Sequence, residues 1–191
     1  MKQTLLAIAA TLPLWAAAQE AAPQLQEDPR AARIREVERG LFVGFEVGYL
    51  GVDTPAGIAS GFVTGVHAGY DVTPRLALAA FALASSNSAS APYSGFDLLA
   101  LGADARFGFL ALTDSGGTER FYVYLHGRLG MLRSYPFGLF AEHDLLLGGG
   151  LGIEYFTRLR HFSVGLAADV LYVKDAKEAG LALVPTVRYT F

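Results

Sequence analysis

The chain has 191 residues, of which 52% are hydrophobic and 17% charged, and its formal net charge is −3. It contains no cysteine, which excludes disulfides, thiolate metal sites and a lipid-anchored cysteine. No basic run could track a phosphate backbone, so nucleic acid is not an expected partner.

Lys2 precedes the apolar run TLLAIAATLPLWAAA, and small residues at Ala16 and Ala18 stand just before Gln19. This pattern predicts a cleavable signal peptide over residues 1–18 and export of the mature chain. The run is too short, and too abruptly followed by polar sequence, for a spanning helix. Loss of Lys2 with the signal leaves 14 Lys and Arg against 18 Asp and Glu, a net charge of −4.

Residues 19–40, QEAAPQLQEDPRAARIREVERG, do not alternate and carry both signs of charge. Asp28 can cap a short helix, Pro29 suits its first turn and Gly40 can end it. Ile34 and Val37 would share one side of that helix. The segment reads as a solvated periplasmic arm, with Ile34 and Val37 as the candidate contact for a partner; so few apolar positions offer little area to bury.

From Leu41 onward, eight runs alternate apolar and polar side chains, near residues 41–50, 61–70, 75–84, 96–109, 120–132, 144–156, 161–172 and 180–191. About ten residues is what a tilted strand needs to cross a bilayer, so the fold class is all-β: an eight-stranded antiparallel transmembrane barrel over residues 41–191. The connections DVTPR, TDSGGTE and TRLR are short, and the alternate set is mostly longer. In outer-membrane barrels the short turns are periplasmic, which places both termini there.

The final run, LALVPTVRYTF, puts Leu181, Leu183, Val187, Tyr189 and Phe191 on one face and Ala182, Val184, Thr186 and Arg188 on the other. Its aromatic end, Tyr189 and Phe191, is how the last strand of such a barrel reads at membrane insertion. Aromatic residues fall in two girdles, Tyr70, Phe107, Phe109, Phe121, Tyr155, Phe162, Tyr189 and Phe191 at the turn end, and Tyr49, Phe62 and Tyr172 at the other. Outer-membrane lipid is therefore the expected surrounding. Pro185 interrupts the last strand, where its missing N–H predicts a bulge or local distortion.

The outward faces carry no charge. The inward faces carry Glu46, His67, Asp104, Arg106, Tyr122, Tyr124, His126, Arg128, Glu154, Asp169 and Arg188, so that four carboxylates face three guanidiniums and two imidazoles. Eight strands enclose a space just wide enough for their own side chains, and the expectation is a polar but closed lumen held by ion pairs. Many glycines also point inward, to accommodate large neighbours such as Phe42, Phe81, Tyr124 and Arg128, to permit sharp strand coiling, or to leave a slot for a small apolar ligand.

A catalytic search finds His143 near Glu142, Asp144 and Ser134 at the loop end, and His161 with Ser163 at the turn end. Neither spacing is diagnostic of a nucleophile with its base, so no active site, cofactor or metal is assigned. Nor is GGGLG at 148–152 a phosphate loop, because it lies inside an alternating strand. The loop SYPFGLF brings Tyr135, Phe137 and Phe140 to the outer rim. It reads as folded over the mouth or resting among headgroups, and as a candidate partner surface.

Five segments, ARIREVERG, GYDVTPRLAL, YVYLHGR, EYFTRLRHFSVGLAADV and PTVRYTF, together resemble a small outer-membrane protein of the contact-dependent (adventurous) gliding motility group of gliding bacteria. The similarity runs in patches over residues 32–191, and the first and fourth segments are its most specific parts. The resemblance implies a non-enzymatic structural or partner-binding role among other envelope and motility proteins. It carries no catalytic or ligand residues. Some proteins of the group are lipoproteins, and this chain departs from them in having no cysteine. A small-solute or apolar-ligand channel is the alternative function, and an envelope-lipid-modifying enzyme the third.

Overall fold

The computed structural model describes residues 37–54, 57–88, 95–136, 143–159 and 161–191. The predicted signal peptide, the arm helix with Ile34, and the loop residues Phe137 and Phe140 lie outside the described residues.

Eight strands follow one another around a closed barrel: β1 (Leu41–Val52), β2 (Ala59–Asp71), β3 (Leu76–Ser88), β4 (Phe96–Thr113), β5 (Glu119–Tyr135), β6 (Asp144–Phe156), β7 (Phe162–Val173) and β8 (Glu178–Thr190). Each pairs antiparallel with its neighbours, and β8 closes on β1. Closure leaves no open edge, as strands in hydrocarbon require. Every strand has at least 12 residues, enough to cross a bilayer at a tilt.

Alternation decides which way each residue points. Outward positions such as Phe45, Leu101, Leu125, Leu151 and Val170 are about half exposed, and inward neighbours such as Phe42, Glu46, His126 and Val184 are buried. The girdle positions Tyr70, Phe107, Phe109, Tyr155, Phe162 and Phe191 are exposed at the turn end, and Tyr49, Phe62 and Tyr172 at the loop end. Both ends of the barrel segment, at Leu41 and Phe191, lie at the end of the short turns.

Those turns are held locally. Thr73 Oγ1 accepts from the N–H groups of Arg75 and Leu76 at 3.2 and 2.9 Å. Asp114 Oδ1 accepts from Gly116 and Thr118 at 2.8 and 3.1 Å, closing a turn in which Gly117 takes φ 79°, a conformation side chains disfavour.

Several strands run beyond the alternation-based boundaries. β3 continues to Ser88 because Ser85 and Asn87 still alternate inward, and β5 continues to Tyr135. The residue pairing between β4 and β5 shifts by one at Phe109, between Gly108 and Leu110, so both Phe109 and Leu110 face outward. At Pro185 no bulge forms. The β1–β8 register is the same on both sides of the proline, but no pairing joins Val47 and Gly48 to Pro185 and Val184. The ladder between Pro185 and Leu166 of β7 is unbroken. A missing donor removes a rung without adding a residue, and so it interrupts the ladder without shifting it.

Candidate functional site: the lumen and its turn-end mouth

The lumen divides into two chemically distinct halves. Toward the loops, inward side chains form an apolar core that includes Leu50, Val52, Val63, Leu83, Phe96, Leu98, Leu132, Leu146, Leu171, Val173 and Val184. Toward the turns, the large inward side chains are mostly charged or aromatic, with small ones such as Ala77, Ser163 and Thr190 between them. All ten residues predicted for the lumenal polar cluster lie on the inner wall: Glu46, His67, Asp104, Arg106, Tyr124, His126, Arg128, Glu154, Asp169 and Arg188 are each at most 7% exposed. Asp71, assigned to a turn by the sequence reading, joins them as a fifth carboxylate, because alternation in β2 extends one residue past Tyr70.

Arg128 is the hub. Its Nη1 and Nη2 donate to Glu46 Oε1 and Oε2 at 3.1 and 2.8 Å, across the lumen from β5 to β1. Its Nε donates to Asp104 Oδ2 at 3.0 Å, and Nη1 stands 3.6 Å from Asp169 Oδ2. His126 bridges the same two aspartates, Nδ1 at 3.1 Å from Asp104 and Nε2 at 2.7 Å from Asp169. Arg106 adds an ion pair to Asp104 at 3.4 Å. The two-pronged contact to Glu46 is the strong form of a guanidinium–carboxylate pair.

A second group lies nearer the turns. Arg188 bonds Asp71 and stands 3.7 Å from Glu154, while Ser163 Oγ donates to Glu154 at 2.5 Å. The Arg188 guanidinium also sits 3.9 Å from the centre of the Phe42 ring. His67 stands apart. It is 4% exposed, neither ring nitrogen has a hydrogen-bond partner among the described residues, and it lies over Gly44 in a T-shaped contact with Phe42.

The inward glycines hold space for such rings. A Cβ on Gly152 would stand 2.3 Å from Tyr124 Cζ, one on Gly44 would stand 2.0 Å from His67 Nε2, and one on Gly130 would stand 3.0 Å from Phe81 Cζ. Neighbouring side chains therefore occupy the volume that these glycines release.

Among the described residues the catalytic candidates do not assemble. Asp144 uses both carboxylate oxygens on backbone, accepting from Leu145, Asp175 and Ala176 N–H groups at 2.7–3.0 Å, and so pins the turn at 174–177. Glu142 lies outside the described residues. At the turn end, Ser163 faces Glu154, whereas His161 Nδ1 faces the Thr190 carbonyl and Glu38 Oε2, each at 2.8 Å. Of the candidate partner surfaces, Val37 is partly buried and Tyr135 is exposed at 41% with the Arg133 guanidinium 5.9 Å from its ring centre.

The turn-end mouth holds residues that sequence reasoning missed. Arg39 Nη1 donates to the Pro74 carbonyl at 2.8 Å and Nη2 to Tyr122 Oη at 2.5 Å, with the guanidinium 4.9 and 5.0 Å from the centres of the Tyr122 and Phe156 rings. Tyr122 Oη in turn donates to Glu119 at 3.0 Å. Arg120 binds Asp114 at 2.8 Å and the Thr157 carbonyl at 3.0 Å, stitching two neighbouring turns together. Arg39 and its partners, and Arg120 and Thr157, lie at least 35 residues apart, so no local pattern signals those contacts; only the inward position of Tyr122 was legible.

No family model and no curated protein matches the chain. Among solved structures, the chain resembles neisserial surface protein A at 22% identity over 80% of this chain and 97% of that one, with a TM-score of 0.65. Two other matches are the outer-membrane enzyme PagL (12% identity, 78% and 99% covered, TM-score 0.49) and the attachment invasion locus protein Ail of Yersinia pestis (13%, 81% and 100%, TM-score 0.45). At such identities the first likeness speaks to fold alone. The chain is an eight-stranded antiparallel barrel of the outer-membrane type.

Proposed function

We propose that this outer-membrane barrel is closed and non-enzymatic and works through contacts, as a structural or partner-binding component of an envelope gliding-motility apparatus. The observation that carries closure is the filled lumen, with an apolar core in its loop-end half and the Arg128 and Arg188 networks in the other. A conducting path would have to break ion pairs buried in low dielectric or wet a packed hydrocarbon layer, and both cost several kcal/mol. The occupied glycine slots favour the same reading over an apolar-ligand channel.

Absence of chemistry at the turn end is supported by how its Ser and His spend their hydrogen bonds: Ser163 donates to a carboxylate, and His161 faces a carbonyl and Glu38. The motility role rests on the sequence resemblance. Its two most specific segments meet at the turn end, where Glu38 of the first pairs with His161 of the second at 2.8 Å. We place that end, with both termini, in the periplasm, where the arm and its residues Ile34 and Val37 would face partners, while Tyr135, Phe137 and Phe140 would face outward at the loop end.

Planar-bilayer recording of the purified barrel tests closure. Silence is expected; unitary steps that change on neutralising Arg128 or Glu154 would establish the channel alternative instead. Gliding speed of a clean deletion strain, with and without the restored gene, tests the motility role, and unimpaired gliding would end it.

A further inference from the structure

The contacts of Arg39 describe a recognition site. Its guanidinium reaches two neutral acceptors, the Pro74 carbonyl and the Tyr122 phenol, and lies near the faces of Tyr122 and Phe156. Those four groups belong to the barrel: Pro74 to the turn after β2, Tyr122 to β5 and Phe156 to β6. The aromatic pair is itself fixed, edge to face at 5.6 Å between ring centres. Carbonyl and phenol oxygens beside two ring faces are what a flat, weakly hydrated cation requires. Arg39, by contrast, precedes β1 and has no part in the strand ladder. Beneath the guanidinium lies a cleft of about 30 Å³, bordered by Gly108, Asp71, Glu154 and Arg188, which leads to the ionic half of the lumen.

We propose that the turn-end mouth is a guanidinium-binding slot, filled in cis by Arg39, so that the base of the N-terminal arm is a removable stopper over the ionic half of the lumen. Any arginine presented from outside could compete for the slot, and displacement of Arg39 would admit water to the Arg188 network while the apolar half stays shut. The slot stands independently of the motility reading.

The chain has no cysteine, so a single thiol is a clean probe. Gly108 suits it, because a Cβ there would meet nothing closer than Tyr122 Cδ1 at 3.4 Å. Labelling of G108C by methyl methanethiosulfonate should be slow, and adding Arg39→Ala should speed it about ten-fold, as loss of a charge-assisted latch implies. Millimolar guanidinium chloride should slow the double variant again and leave G108C unchanged. Equal rates with and without Arg39, or no protection by guanidinium, would overturn the slot. Should R39A fail to insert, R39K keeps the charge but cannot reach both acceptors as a fork does, and it gives the same comparison. Both variants should remain silent in a bilayer; current in R39A alone would refute the apolar seal and leave the slot standing.

Discussion

Replacing Arg128 by Met should destabilise the barrel more than any other single change in the lumen, and replacing Glu46 as well should add less than its own single cost. Glu46 is fully buried, and among the described residues its hydrogen-bond partner is Arg128, through both oxygens at 3.1 and 2.8 Å. Removing the guanidinium leaves that carboxylate buried and uncompensated, a cost of about 3–5 kcal/mol. Asp104 and Asp169 suffer less, since His126 still bridges them. Glu46→Gln alone leaves Arg128 with Asp104 and Asp169 and should cost about 1–3 kcal/mol. In the double variant the stranded charge is gone, so the combined loss should fall short of the sum by about 1–3 kcal/mol. Equilibrium urea unfolding in lipid, followed by circular dichroism and by the mobility of the folded barrel in gels, measures all four corners of the cycle. Strict additivity, or a cost below about 1 kcal/mol for Arg128→Met, would refute the account of Arg128 as hub.

The two buried histidines should behave oppositely under the same assay. His67→Phe removes an imidazole with no partner at either nitrogen among the described residues and should be neutral to within about 1 kcal/mol, whereas His126→Phe breaks two bonds to buried carboxylates and should cost about 2–4 kcal/mol. Gly152→Ala drives a methyl into the Tyr124 ring and should cost about 1–3 kcal/mol; the outward Gly127→Ala, whose Cβ would meet nothing closer than 4.0 Å, should be silent. The Thr118 N–H and the Arg120 guanidinium hold the Asp114 carboxyl below the usual carboxylate range. Its contribution to turn stability is then complete above the unfolded-state pKa and fades as pH falls through the lower folded-state value. An NMR titration midpoint for Asp114 at or above the ordinary aspartate value would contradict this.

Strand existence was legible because one face of every strand must be apolar, and a period of 2 survives even where single residues are ambiguous. The last strand shows this best: from Leu181 to Thr190 each side chain falls on the face alternation assigns it. Boundaries were less legible where turn-forming residues continue a strand, as in Ser85 to Ser88, because Ser and Asn read as loop until a partner strand is known. Asp71 was missed for the same reason. The slip at Phe109 is visible in hindsight as two consecutive apolar residues, Phe109 and Leu110, but Pro185 looked the better place for a bulge. The ionic cluster could be read as a set, since each member occupies an inward position. Its partition from the apolar half required the packing in three dimensions, which alone gathers Leu50, Leu98 and Leu171 into one cluster and Arg128, His126 and Asp104 into another.

The missing rungs at Pro185 turn the closing seam into two clips. One joins Phe42–Glu46 to Thr186–Thr190, with the Phe191 N–H reaching the Leu41 carbonyl at 2.9 Å, and Arg188 reaches past β1 to Asp71 of β2. The other joins Tyr49–Val52 to Gly180–Leu183 and, among the described residues, has no ionic tie of that kind. This seam also joins segments from opposite ends of the barrel sequence, the costliest loop to close in entropy. Unzipping should therefore begin in the loop-side clip and pause at the proline, with the turn-side clip acting as a hasp. Amide exchange along β1 would register that pause as a step in protection between Glu46 and Tyr49.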